Sequence, residues 1–174
     1  MSDFWVFGYG SLMWRPGFAY RESRPARLAG AHRSLCVYSW VHRGTRQRPG
    51  LVLGLDLGGS CRGVAYRIDG ADRQAVLAYL AERELITPVY RQVWRRIRVA
   101  GGARSVVALT YVVDRASPQY AGRLPRETLF DHVRASTGQS GRNADYVVNT
   151  AWHLRELGIR DATLEWLAAV LQRS

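Results

Sequence analysis

Through the first half of the chain, apolar residues alternate with polar ones or gather in short runs bounded by Gly and Pro. That pattern predicts strands over Phe4–Tyr9, Ala26–Ala31, Ser34–Trp40, Leu51–Leu57 and Arg62–Ile68, with breaks at Pro16-Gly17, Pro49-Gly50 and Gly58-Gly59. From Ala71 the period lengthens. Val76, Leu77 and Leu80 recur at helical spacing to about Leu85, and Pro88 forbids continuation. Two further strands, Val89–Val99 and Ser105–Val113, flank a Gly101-Gly102 turn. The last third is helical. Pro125 suits a first helical position ahead of Glu127, with Leu129, Phe130 and Val133 as the apolar face. Asn143–Leu157 and Asp161–Gln172 then form a helical pair, with Gly158 as a stop and Asp161 as an N-cap. Strands gathered first and helices last predict an α+β fold built on a mostly antiparallel sheet or small barrel.

At 174 residues the chain is the size of one domain, 1–174, without repeats or linkers. Its formal net charge is +11, and all twenty-five basic residues are Arg. Such an excess raises the question of a polyanion partner. Residues 1–50 carry eight Arg against two acidic residues, 51–114 nine against six and 115–174 eight against six, so no segment is a basic tail. The densest run, Arg91, Arg95, Arg96 and Arg98, is interrupted by Val93, Trp94 and Ile97 as in a half-buried strand. The distribution argues against nucleic acid. Two cysteines, Cys36 and Cys61, outside any CxxC pattern point to a reducing, cytoplasmic setting, and four scattered histidines argue against a metal site. Neither a signal-peptide pattern nor an apolar run of about 18 residues points to a membrane.

Two places can carry chemistry. FGYGSL, Phe7 to Leu12, closes the first strand. Gly8 and Gly10 permit either a plain strand-ending turn or a close approach of ligand to successive main-chain N–H groups, with Ser11 adding a hydroxyl. Met13 stands where a dinucleotide fingerprint needs its third glycine and where a GxSxG elbow needs its last, so both motifs are excluded. The second place is Glu84, which falls on the stripe of Val76, Leu77 and Leu80, whereas Glu82 and Arg83 project to solvent. Burial and the negative end of the helix dipole both raise a carboxylate's pKa toward the range of a general base. The alternative is a terminal Glu that reaches solvent or pairs with Arg91 or Arg95.

FGYGSLMWRPGF near the N-terminus, HRGT at 42–45 followed by Pro49-Gly50, GVAYRI at 63–68, RELITPVY at 83–90 and SGRNADYV at 140–147 occur in an order that resembles the ChaC-like γ-glutamylcyclotransferases. DRASPQYAG at 114–122 and the closing LGIRDATLEWL add to the likeness, which covers essentially the whole chain. The resemblance implies a small mixed β-barrel flanked by helices. It also implies cleavage of glutathione to 5-oxoproline and cysteinylglycine, without cofactor or metal. It places the catalytic carboxylate at Glu84 and the substrate loop at Gly8, Tyr9, Gly10, Ser11, Leu12 and Met13. Where some relatives carry Gly-Gly before the Tyr of the RE segment, this chain has Pro88-Val89.

Overall fold

The computed structural model describes residues 2–102 and 105–173; the expected domain limits, Met1 and Ser174, lie outside them. Two compact units emerge, Met1–Ser34 with Leu55–Ser117, and Leu35–Gly54 with Pro118–Ser174.

The strands are β1 (Phe4–Gly8), β2 (Glu22–Ser39), β3 (Gly50–Ile68), β4 (Tyr90–Val99) and β5 (Ser105–Val113). They close a barrel in the order β1-β3-β2-β4-β5. β1 is antiparallel to β3, with Phe4 opposite Ile68 and Gly8 opposite Val64, and parallel to β5, with Trp5 opposite Ala108. β4 is antiparallel to both β2 and β5. The barrel is therefore mixed and mostly antiparallel, as the pattern predicts.

The expected strand limits are corrected. The pairs of short strands expected over 26–40 and 51–68 are two long continuous strands of 18 and 19 residues. Gly30 in β2 (φ 84°) and Gly58 and Gly59 in β3 (φ 93° and 70°) adopt positive φ inside these strands. Glycine absorbs a sharp local bend there without ending the strand.

Helix α1 (Arg73–Glu84) follows a single 3-10 turn, Gly70–Asp72, rather than starting at Ala71. Its buried residues are Val76 and Leu80. They join Phe4, Val6, Leu12, Tyr66, Ile68, Leu109 and Tyr111 in one apolar cluster, with Leu77, Tyr79 and Tyr90 packed against it. The first unit thus holds β1, the turn after it and the inner face of α1 on one core.

In the second unit, α2 (Arg126–Ala135), α3 (Asn143–Glu156) and α4 (Ala162–Leu171) bury Leu129, Val133, Val147, Leu154, Leu164 and Leu167. Pro125 is the N-cap of α2 rather than its first helical residue. Gly158 (φ 68°) ends α3 as expected, with the N–H of Gly158 donating to Arg155 O at 2.9 Å and that of Ile159 to Leu154 O at 2.8 Å, a Schellman stop. Asp161 caps α4 through Leu164 N–H at 3.1 Å. A two-stranded ladder, β6 (Thr137–Gly138) with β7 (Gly141–Arg142), was not predicted; two-residue strands leave no alternation to read.

Candidate active site

β1 delivers the chain into a 3-10 turn, Ser11–Met13, closed by Met13 N–H on Gly10 O at 2.9 Å. Neither glycine of FGYGSL is there for a positive φ: Gly10 has φ −130°, and Gly8 is not among the positive-φ glycines. Gly8 serves close approach. A Cβ there would lie 3.0 Å from Leu12 Cβ, and one on Gly63 of β3 would lie 2.2 Å from Gly8 O.

The carbonyl side of this turn is tied down. Arg33 Nε donates to Tyr9 O at 2.6 Å, Arg15 N–H to Ser11 O at 2.8 Å, and the Tyr66 hydroxyl reaches Leu12 O at 3.0 Å and Met13 O at 2.7 Å. The first N–H groups of a helical turn have no acceptor inside it. In this turn they belong to Gly10, Ser11 and Leu12. Tyr9, Leu12 and Met13 are buried, and Ser11 is exposed. A backbone whose carbonyls are satisfied by the protein and whose early N–H groups have no acceptor within the turn suits an anion or a carbonyl oxygen.

Glu84 ends α1 on the stripe of Val76 and Leu80, with its side chain 19% exposed. Burial pushes its carboxyl above the ordinary carboxylate range, and the Arg83 guanidinium pulls it partly back. The charge partner is Arg83, with Nε 3.3 Å from Glu84 Oε1, and not Arg91 or Arg95. From β5, the buried Tyr111 phenol is pushed up to about 12, by burial first and then by the Glu84 charge. Its hydroxyl reaches Gln92 Oε1 at 3.3 Å.

The outward projection expected of Arg83 is overturned. Its side chain is 20% exposed, and its guanidinium donates to Ser11 Oγ (2.9 Å), Arg15 O (2.6 Å), Pro16 O (3.3 Å) and the Tyr79 hydroxyl (2.9 Å). Position 83 leaves the centre of the helical stripe but turns toward the loop, not toward water. Arg33, Tyr66 and Arg83 were all missed as site residues. Tyr66 and Arg83 stand inside the GVAYRI and RELITPVY segments, which was the available signal. Val89, of the Pro88-Val89 pair, is fully buried, and its carbonyl accepts from Asp114 N–H at 2.7 Å.

The HRGT and SGRNADYV segments meet in the second unit. Gln139 and Ser140 N–H donate to Val41 O and His42 O at 2.8 and 2.9 Å. Buried Asn143 exchanges two hydrogen bonds with the main chain of Leu51, at 2.7 and 2.8 Å. A Cβ at Gly50 would lie 2.3 Å from Arg43 O, and one at Gly138 would lie 2.4 Å from Val41 O. These residues hold backbone to backbone, which accounts for them as scaffold.

Known proteins share both this fold and these segments. A glutathione-specific γ-glutamylcyclotransferase of Escherichia coli (strain K12) is 34% identical over 169 residues, covering 97% of this chain and 73% of that protein. Glutathione-specific γ-glutamylcyclotransferase 1 of Homo sapiens is 36% identical over 171 residues, covering 96% and 76%. A crystal structure of a yeast γ-glutamyl cyclotransferase specific to glutathione superposes with a TM-score of 0.85 at 22% identity, covering 99% of this chain and 97% of that one, and shares its fold. The family model described as ChaC-like protein matches residues 4–174, so one family spans both units, and the chain belongs to the ChaC-like family.

Proposed function

We propose that the protein cleaves the γ-glutamyl bond of glutathione by intramolecular cyclisation, releasing 5-oxoproline and cysteinylglycine, with Glu84 carrying the proton. The observation that carries this reading is a largely buried carboxylate, held above its ordinary range, that shares one guanidinium with the hydroxyl of the Gly8–Met13 turn. The relatives' names supply the substrate class.

In a γ-glutamyl peptide the α-amine can reach the γ-carbonyl carbon and close a five-membered lactam, so no nucleophile is needed from the protein. Glu84 takes a proton from the α-ammonium. The amine then attacks, the new N–C bond forms, and the bond from the γ-carbonyl carbon to the cysteinyl nitrogen breaks as Glu84 returns its proton to that nitrogen. Glu84 then takes the second proton from the new lactam nitrogen and passes it to the freed amine, which leaves as an ammonium with Glu84 again ionised. Water, metal and cofactor take no part in this balance. The N–H groups of Gly10, Ser11 and Leu12 are the donors for the glutamyl carboxylate or for the oxyanion on the γ-carbonyl. Ser11 Oγ accepts from Arg83, which leaves its own proton to donate. Gly8 allows the turn to close, Met13 N–H closes it, and Tyr9 and the Leu12 and Met13 side chains anchor it in the core. A turn fixed in this way holds a flexible tripeptide near its cyclising conformer, where orientation contributes strongly to rate.

We read residues 1–174 as one functional domain, acting on a small molecule in the cytoplasm and not on nucleic acid or membrane. The even spread of arginine supports this, and among the described residues no helix is long and apolar enough to cross a membrane.

The test is incubation of the purified protein with glutathione and, separately, with γ-glutamyl-alanine. 5-Oxoproline with cysteinylglycine from glutathione alone is expected. Preference for γ-glutamyl-alanine would transfer the reading to other γ-glutamyl donors. Glu84→Gln should keep the fold and lower kcat by about 10²-fold or more. Near-normal turnover in the folded variant removes Glu84 from the chemistry.

A further inference from the structure

We propose that Arg83 is the positioning residue that couples the substrate turn to the proton-carrying carboxylate, one guanidinium fixing both. The inference rests on the cyclotransferase reading above.

The geometry is that of a fork with every branch engaged. Nη1 holds Arg15 O and the Tyr79 hydroxyl, with Pro16 O as a longer third acceptor; Nη2 holds Ser11 Oγ; Nε faces Glu84 Oε1 at 3.3 Å. A planar guanidinium presents these donors at fixed angles, which a lysine ammonium cannot reproduce. The acceptors are themselves held. Tyr79 packs on the core cluster of α1, and a Cβ at Gly17 (φ 76°) would lie 2.0 Å from its hydroxyl, so the RPGF segment closes directly over it. Two successive carbonyls and the hydroxyl of the turn are thereby referred to the end of the helix that carries Glu84.

The second consequence is electrostatic. The charged group acting on Glu84 is Arg83 from its own helix, and the Glu84 charge in turn raises the Tyr111 phenol of β5. The phenol, pushed up to about 12, stays neutral near pH 7. Tyr66 of β3, also pushed up to about 12 by burial, bonds the turn and is neutral there too. Arg83 is thus the charge that offsets the burial of Glu84. Removing it should raise the carboxylate further, so the acid limb of the pH profile should move to higher pH.

Arg83→Gln and Arg83→Lys separate the two roles when kcat/KM for glutathione is measured from about pH 5 to about pH 9, with circular dichroism to verify folding. Arg83→Gln should raise KM about 10-fold and move the acid limb upward by about half a pH unit or more. Arg83→Lys should raise KM to a similar extent and leave the limb in place, because it keeps the charge and loses the fork. A purely structural arginine would lower melting temperature without moving the limb. Folded variants with unchanged KM and an unmoved limb overturn the inference. If Arg83→Gln does not fold, Arg83→Lys decides alone: a higher KM with a fixed limb supports the coupling, and an unchanged KM overturns it. Glu84→Gln is measured alongside. Retained turnover there overturns the base assignment, whereas its loss together with silent Arg83 variants overturns this inference only.

Discussion

A carboxylate kept above its ordinary range by burial destabilises the fold whenever it is ionised. Glu84 is in that position. Its folded-state pKa exceeds its unfolded value, so the folded state binds more protons between the two. Stability linked to this group is full below the unfolded pKa and is lost as pH rises through the folded one. Glu84→Gln should therefore melt higher than the parent near pH 8, and the gain should vanish near about pH 3, where both states of the parent are protonated. Melting curves at the two pH values check this; an equal offset at both would show that ionisation is not the cause. The residue proposed to carry the proton is then one the fold would be more stable without, a trade expected of an active-site group.

At the level of elements, β1 approaches β3 at Gly63 with no room for a Cβ, just where the chain enters its turn. Gly63→Ala would set a methyl 2.2 Å from Gly8 O and 2.8 Å from Phe7 Cζ, so the strands must separate. We expect a loss of about 1–3 kcal/mol in stability, as for an overpacked core, with a rise in KM because the displaced strand holds the turn. Gly58→Ala is the contrast: φ 93° strains any side chain, but nothing lies within 4 Å. It should cost stability and leave KM alone. Denaturant titration with steady-state kinetics distinguishes the two. These glycines also mark the limit of what the sequence reveals. The stripe of Val76, Leu80 and Glu84 is legible because helical periodicity is local, and the stop at Gly158 and the cap at Asp161 are legible for the same reason. Gly58-Gly59 reads as a break because a positive-φ glycine has the same letter in a turn and inside a bent strand. No spacing rule reveals Arg33, Tyr66 and Arg83, because they reach the turn across 24, 53 and 72 residues of chain; for Tyr66 and Arg83 the family-like segments around them are the only trace in the sequence.

For the molecule as a whole, the formal charge of +11 has a narrower meaning than its size suggests. Many of the arginines are spent on structure, on carbonyls at Arg33 and Arg83, on carboxylates at Arg21, Arg67 and Arg115, and on aromatic faces at Arg46 and Arg73. These contacts leave each guanidinium charged, so the net positive charge still favours the approach of a small anion such as glutathione. Raising salt from about 0.05 to about 0.5 M should lower kcat/KM by a factor below about 10, through KM, because the Debye length shrinks over that range. A steeper fall would point to several phosphate-like contacts instead. The position of β1 between β3 and β5 has its own bearing on how the protein comes into being. Synthesis delivers the FGYGSL segment well before β5, yet β1 has its second neighbour only when residues 108 and 109 have been made. A nascent chain that ends within β4 carries both the loop and Glu84 and has no closed barrel to hold them in register. Assembly of the site therefore waits on a contact between strands more than a hundred residues apart, a long-range closure of the kind that slows folding and prolongs the exposure of unpaired strand edges.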